Sequence, residues 1–415
     1  VSRRESTVNS EVSNIKENSS SIWRNKVFSY FFLASCISLI GNSMVTLVLP
    51  LWVMKITNSP LLVSGVNIAI ATAAILFAPI TGTLADRMSR RKLMIVADVI
   101  RGIVMILIAV IAFNNKMLYI LLLLLLIIRS LGSSLFTPAS NAALVTYVEE
   151  KHIQQAITLR QISVQIISVA IPVMASFLIS IFSFHGVFVL DALTFFISFL
   201  ILMKIKFPRE LKVEKKKPFY EDFKEGFSII NNNNNKSLKT LLMSAAVINL
   251  LGAACMLSLQ VIVVREMDLS TQWYSIVFAV SPIGILIGAF ITKKIRAYKT
   301  ITTAFIFTAI MGIFNAAMGT TLNPILFSVY YFLSGIAFGV SNVYFGVLYR
   351  KLIPNEVQGR FYGLLNSLLL VSTPVGIAIT GYSLESISAS ILFIIIGIIT
   401  FLVSVISCLI MNKSR

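Results

Sequence analysis

The chain has 415 residues, of which 57% are hydrophobic and only 13% charged, and its mean hydropathy is +0.88. So much apolar surface cannot be hidden inside a water-soluble globule of ordinary composition, so the remaining solvent is lipid. The formal net charge of +18 does not point to nucleic acid, because the basic residues fall between apolar segments and build neither a single basic face nor a recognised binding motif.

In chain order, residues 1–26 form a polar tail of mixed charge, with no short apolar core followed by a small-residue cleavage site, so no cleaved signal peptide is expected. Apolar stretches long enough to cross roughly 30 Å of hydrocarbon then recur at 27–54, 61–84, 93–113, 118–140, 158–183, 187–205, 240–263, 273–292, 301–319, 325–348, 362–383 and 389–411. Runs such as 121–128 and 391–403 are almost continuously apolar and do not alternate, which predicts helices rather than barrel strands. With the amino terminus inside, 31 of the 35 Lys and Arg fall on cytoplasmic connections and tails, counting Arg101, Arg160 and Lys204 at inner span ends. Lys55, Lys116 and Arg265 remain outside and Arg129 lies in mid-span. This partition predicts a multi-pass protein of the cell membrane with both termini cytoplasmic.

The connection at 206–239 divides the spans six and six. Within it Phe219, Phe223, Phe227 and Ile230 are spaced by three and four among charges, the pattern of a short amphipathic helix on the inner surface. A solvated linker with a polar Asn tract fits the same residues equally. The halves 27–205 and 240–411 echo each other at an offset of 202 residues: Gly82 falls on Gly284, Phe136 on Phe338, Pro172 on Pro374, and Arg91-Lys92 on Lys293-Lys294. The expected architecture is therefore all-α, with twelve membrane helices in two pseudo-symmetric six-helix bundles, a substrate path between them and a short tail at 412–415.

Between the second and third spans the chain reads Gly82-Thr83-Leu84-Ala85-Asp86-Arg87-Met88-Ser89-Arg90-Arg91-Lys92. Gly82 would permit close helix approach, Asp86 would face the amino terminus of a partner helix, and Arg87, Arg90 and Arg91 would pair with acids or lipid phosphates. The segment resembles the cytoplasmic loop signature of the major facilitator superfamily, with Ser89 where that family usually has Gly. The resemblance implies that the loop latches the two halves on the inner side, with Asp86 meeting the eleventh span near Arg360 and Phe361. Trp23-Arg24-Asn25-Lys26, Ala97-Asp98, Arg129-Ser130-Leu131-Gly132, Thr137-Pro138-Ala139, Asn141-Ala142 and Asp191-Ala192 further resemble the macrolide-efflux-type branch of bacterial exporters. That likeness implies proton-driven export of an amphiphilic drug or metabolite, macrolide-like or siderophore-like.

Ionisable groups at membrane depth normally face a cavity or a partner. Arg129, about eleven residues into the fourth span, matches the arginine of the family's fourth-helix motif. Asp191 lies about a turn into the sixth span among Phe188, Val189, Phe195 and Phe196. Burial disfavours its charged form and a nearby cation favours it, so a carboxylate balanced between the two can load and release a proton. Asp191 is thus a candidate protonation switch with Arg129 as its modulator; as an alternative, Asp191 caps the sixth helix near its outer end. Asp98 and Arg101, three apart, predict a structural pair tied to the motif loop. The fifth span has Ala170-Ile171-Pro172, without the glycine that precedes proline in the family's antiporter signature, so Pro172 reads as a kink. Asn42, Asn249, Gln260 and Asn366 are candidate cavity residues.

No phosphate-cradling Gly-Lys-Ser/Thr loop is present, which makes an ion gradient, most simply of protons, the expected energy source with no cofactor. The only histidines are His152 and His185, no metal-ligand cluster exists and no Gly-x-Ser-x-Gly elbow occurs, so an enzyme is not expected. The expected partners are a small-molecule substrate and the bilayer, for a monomer. Proton-coupled nutrient uptake and a non-transporting sensor on a transporter scaffold remain as alternatives.

Overall fold

The computed structural model describes residues 22–114, 118–205, 236–295, 300–353 and 358–413. The amphipathic segment expected around Phe219 and Ile230 lies outside the described residues, as do the side chains of Asp86, Arg87 and Arg360. Among the described residues, twelve helices are long and apolar enough to cross a membrane. They are α1 (Lys26–Thr57), α2 (Pro60–Arg87), α3 (Arg90–Phe113) and α4 (Tyr119–Thr146), then α5 and α6, α7 (Lys236–Val261), α8 (Thr271–Ile291), α9 (Thr300–Met318), α10 (Pro324–Leu352), α11 (Gln358–Ser383) and α12 (Ala389–Lys413). Helices α5 and α6 form one stretch, Ile153–Lys204, that reverses at Ser183 with φ 57° and ψ −180°. That backbone region normally belongs to glycine, so a serine there is strained.

Local chemistry sets the helix starts. Asn25 caps α1 by accepting from the Phe28 N–H at 3.1 Å and donates its amide to the Tyr147 carbonyl at 3.1 Å, tying the start of α1 to the end of α4. Ser59-Pro60 and Asn323-Pro324 open α2 and α10, each placing a side-chain acceptor before a proline that has no N–H to satisfy. Ser89 caps α3, accepting from the Lys92 N–H, which is what this residue does where the resembling family has glycine. Large apolar side chains such as Ile120, Phe113, Phe290 and Ile325 are two-thirds or more exposed, the belt that lipid would cover.

The packing shows the repeat. In the first half α2 packs on α4, α3 on α4, and α1 and α3 on the α5–α6 stretch. In the second half α8 packs on α10, α9 on α10, α9 on α12, and α7 on α11 and α12, the same arrangement six helices later. Between halves α2 meets α11 and α5 meets α8, two contacts that a two-fold axis exchanges. The α8–α10 contact is unusually close: a methyl on Gly288 would lie 2.2 Å from the Ile336 carbonyl oxygen, and one on Gly339 2.2 Å from that of Ile285. Gly284 and Gly335 sit one turn away in the same seam, giving facing small-xxx-small rows. Gly82, expected to allow close helix approach, has open space around it; its symmetry mate Gly284 makes the tight contact instead.

The halves are joined unevenly along the membrane normal. One apolar cluster contains Val48 and Val53 of α1 and Val66 of α2 together with Leu257 of α7 and Val277 of α8, so it spans both halves at the end away from the basic loops. Toward the basic loops the clusters separate, one holding only first-half residues such as Phe31 and Leu144 and two holding only second-half residues such as Phe305 and Phe361. Among the described residues, buried apolar clusters therefore join the halves at one face and not at the basic face.

Candidate functional site

Among the described residues, besides Arg90 at the motif loop, four charged side chains are buried inside the first half: Asp98 at 0% exposure, Asp191 at 1%, Arg101 at 2% and Arg129 at 4%. Two acids and two bases offset one another, which makes burial of the set tolerable where each alone would cost at least about 2.5 kcal/mol at the centre of a membrane. Asp98 and Arg101 pair at 2.5 Å. Asp98 also accepts from Ser38 of α1 at 3.2 Å and Ser198 of α6 at 2.7 Å. The Arg101 guanidinium lies 4.4 Å from the Phe136 ring and 4.5 Å from the Phe195 ring, a cation held between two aromatic faces. Among the described residues the pair is thus fastened to α1, α4 and α6, because its register on α3 aims it into the bundle.

Arg129 donates to the Asn42 Oδ1 of α1 at 3.1 Å, and the Ser133 hydroxyl donates to the same oxygen at 3.3 Å. Neither Asp191 oxygen has a hydrogen-bond partner, nor does the Arg129 Nε. Arg129 and Arg101 both act on Asp191 through their charge, so the acid sits in a positive field without direct ligation. Asp191 does not cap α6: it follows the break at Ser183 by eight residues and accepts no backbone N–H. It lies against Gly41 of α1, where an added methyl would stand 2.6 Å from its Oδ1.

At the motif loop, Arg90 donates to the Ala142 carbonyl at 3.0 Å and to the Thr146 hydroxyl, and Arg91 donates to the carbonyls of Leu202 at 3.0 Å and Met203 at 2.6 Å. Both arginines thereby satisfy carbonyls at the carboxyl-terminal ends of α4 and α6 within their own half, where free carbonyls and the helix dipole favour cations.

Between the halves lies a chamber. Its central part, about 280 Å³, is lined by Asn42, Thr46, Pro172, Met256, Gln260 and Tyr274. Asn42 also lines a smaller recess in the first half, where Ser35, Ser140, Ser163 and Arg160 stand among apolar side chains such as Phe32 and Leu39. Met256 and Thr373 connect the centre to a part of about 470 Å³ walled by Phe338, Phe345 and Tyr349. Asn249 places its amide nitrogen 3.0 Å from the Leu369 carbonyl and 2.8 Å from the Thr373 hydroxyl, clamping α7 to α11 one turn before Pro374. Gln260 keeps an unpartnered Nε2 at the chamber wall, whereas Asn366 is exposed on α11.

Arg160 is the residue that a reading of charge alone misplaces. Counted as an inner-end topology charge, it stands in the recess wall about 10 Å along α5 from Ile153.

The Major Facilitator Superfamily model matches residues 31–373, most of the chain. The chain belongs to this superfamily. Among curated members it is 28% identical over 401 residues to the uncharacterised MFS-type transporter YfiS of Bacillus subtilis, covering 93% of this chain and 94% of that one. It is 22% identical over 402 residues to macrolide efflux protein A of Streptococcus pyogenes, covering 95% and 97%. Among solved structures, a bacterial homologue of the iron transporter ferroportin in an inward-facing state aligns with a TM-score of 0.72 at 15% identity, over 94% of this chain and 98% of that one. A bacterial homologue of the human lysosomal transporter Spinster, inward-facing and unoccupied, gives 0.69 at 16%, over 95% and 99%. These likenesses show the fold. The superfamily and fold are those of membrane transporters, not of enzymes, and carry a small-molecule substrate across a bilayer.

Proposed function

We propose that the chain is a proton-coupled exporter of an amphiphilic drug or metabolite. It works as a monomer in the cell membrane by alternating access, with the basic face and both termini in the cytoplasm. The observation that carries the reading is the chamber between the halves with Asp191 buried, unligated, behind its first-half wall. With both acids ionised the four-charge cluster is neutral; a proton on Asp191 leaves it at +1, and the nearest wall contact to respond is Arg129 on Asn42, a residue of the chamber itself. Proton loading is thereby linked to the wall that the cargo touches. The macrolide efflux relatives support export as the direction. The test is pH-gradient-driven movement of candidate amphiphiles in proteoliposomes, together with a susceptibility panel of cells with and without the protein, each with and without a protonophore. Asp191→Asn is expected to abolish gradient-driven transport while leaving cargo binding; transport that survives the substitution unchanged would refute the assignment.

A further inference from the structure

The chamber has a charge pattern that selects among amphiphiles. Of its charged wall residues, Arg101 is already paired with Asp98 and sandwiched between rings, whereas Arg160 is not engaged by a carboxylate. Arg160 spends one donor on the Ser140 hydroxyl at 3.1 Å, and the titratable group facing it is the Cys36 thiol. A guanidinium carries five N–H donors, so most of its fork is left for a ligand. Around it stand hydroxyls able to complete an acceptor's shell, Ser35, Ser163 and Thr137 among them. Among the described residues, none that lines this recess or the two chamber parts joined to it is Asp or Glu; Asp98 and Asp191 are sealed behind the wall.

Arg160 also stands at a junction. With Leu144 it borders both the recess and a groove between α5 and α8, lined by Gln161, Gln165, Ile283 and Phe290, that opens along the side of the molecule. An amphiphile dissolved in the leaflet next to the basic face meets this groove without leaving lipid, and its first charged contact inside is Arg160. Beyond the recess, the aromatic second-half part of about 470 Å³ provides the apolar counterpart, a size suited to the body of a drug-like molecule.

Resting on the export reading, we infer that the cargo is an amphiphilic organic acid whose carboxylate, sulfonate or phosphate is held by Arg160 and the recess hydroxyls, while its apolar body lies against Phe338, Phe345 and Tyr349. A basic amphiphile would place its ammonium beside an unpaired guanidinium with no wall carboxylate to receive it, and like charges in a site of low dielectric repel.

The full chain in phosphatidylcholine nanodiscs separates the alternatives, with empty nanodiscs as the blank. Three probes on one arene scaffold are titrated: 1-anilinonaphthalene-8-sulfonate, the neutral N-phenyl-1-naphthylamine, and the same arene bearing a trimethylammonium group. The sulfonate is expected to bind about tenfold tighter than the neutral probe, the worth of one charge-assisted contact, and the cation weakest. Arg160→Gln is expected to remove that tenfold advantage and leave the neutral probe unchanged; Arg160→Lys, which keeps the charge, is expected to retain most of it, and unchanged binding of the neutral probe shows that each variant is folded. Adding phosphatidylglycerol to the nanodiscs assigns the source of the acid: competition with the sulfonate points to a membrane lipid and no competition to a soluble acid, both upholding recognition of an anion. Equal binding of all three probes, or equal loss of all three in Arg160→Gln, overturns the inference. The export reading fails separately. If the acid binds through Arg160 but no gradient moves it, export falls and acid recognition stands. If a gradient drives the cationic probe and Arg160→Gln makes no difference, acid recognition falls and export stands.

Discussion

Glu385, in the turn after α11, reaches across to the other half and accepts from the Ser59 hydroxyl at 2.8 Å and the Leu61 N–H at 3.1 Å, both at the start of α2. A carboxylate at a helix amino terminus satisfies an orphan donor and meets the positive end of the dipole. The contact joins the halves at their closed face, so it exists only while that face is shut. Glu385→Gln keeps the shape and removes the charge. Capping and dipole contributions together would reach about 2 kcal/mol in a sheltered site, and exposure of Glu385 to solvent lowers this to ~1 kcal/mol. That amounts to an approximately fivefold rise in the population opened at this face. The assay is the distance distribution between spin labels at Asn114 and Leu322, which lie on that face in the first and second halves, measured in nanodiscs. Ser386→Ala serves as the control, since the Ser386 hydroxyl bonds only locally to the Ser383 carbonyl. Populations unchanged by Glu385→Gln, or changed equally by the control, would refute the clasp.

Two further substitutions test the packing and the buried charges. Gly339→Ala drives a methyl into the Ile285 carbonyl and is expected to lower stability by about 1–3 kcal/mol, whereas Gly82→Ala meets nothing and should be neutral or stabilising by up to about 1 kcal/mol; melting of the purified variants in detergent decides, and the reverse order would contradict the α8–α10 seam. Asp98→Asn leaves Arg101 buried without its anion and is expected to cost about 3 kcal/mol, read as a fall in Tm and in the yield of folded protein; a variant as stable as the parent would show that the two aromatic rings alone hold the guanidinium.

The number of spans and the division into halves were legible in the residues because a bilayer leaves a polypeptide little choice: any apolar run of the right length must become a helix to satisfy its own backbone. The 202-residue echo and the Gly82 to Lys92 segment were legible for a related reason, since they depend on order along the chain. What hydropathy does not contain is azimuth. A helix apolar on every side shows little preference for any face, so nothing in sequence separates Arg160, aimed into a recess, from a charge waiting at the membrane surface.

Partnership is lost in the same way. Gly82 and Gly284 are equivalent in the repeat, yet among the described residues Gly284 meets another helix closely and Gly82 does not, a difference that linear order does not contain. Asp98 and Arg101 announce a pair by their spacing, but their fastening to Ser38, Ser198, Phe136 and Phe195 draws on residues as far as 100 positions away. The sequence alone determined how many times this chain crosses the membrane and to which superfamily it belongs, since both follow from local composition and linear order. Which charges face the chamber, which lie sealed behind it and which face of the molecule is shut were decided only when the helices packed, because each depends on the rotation of one helix against another.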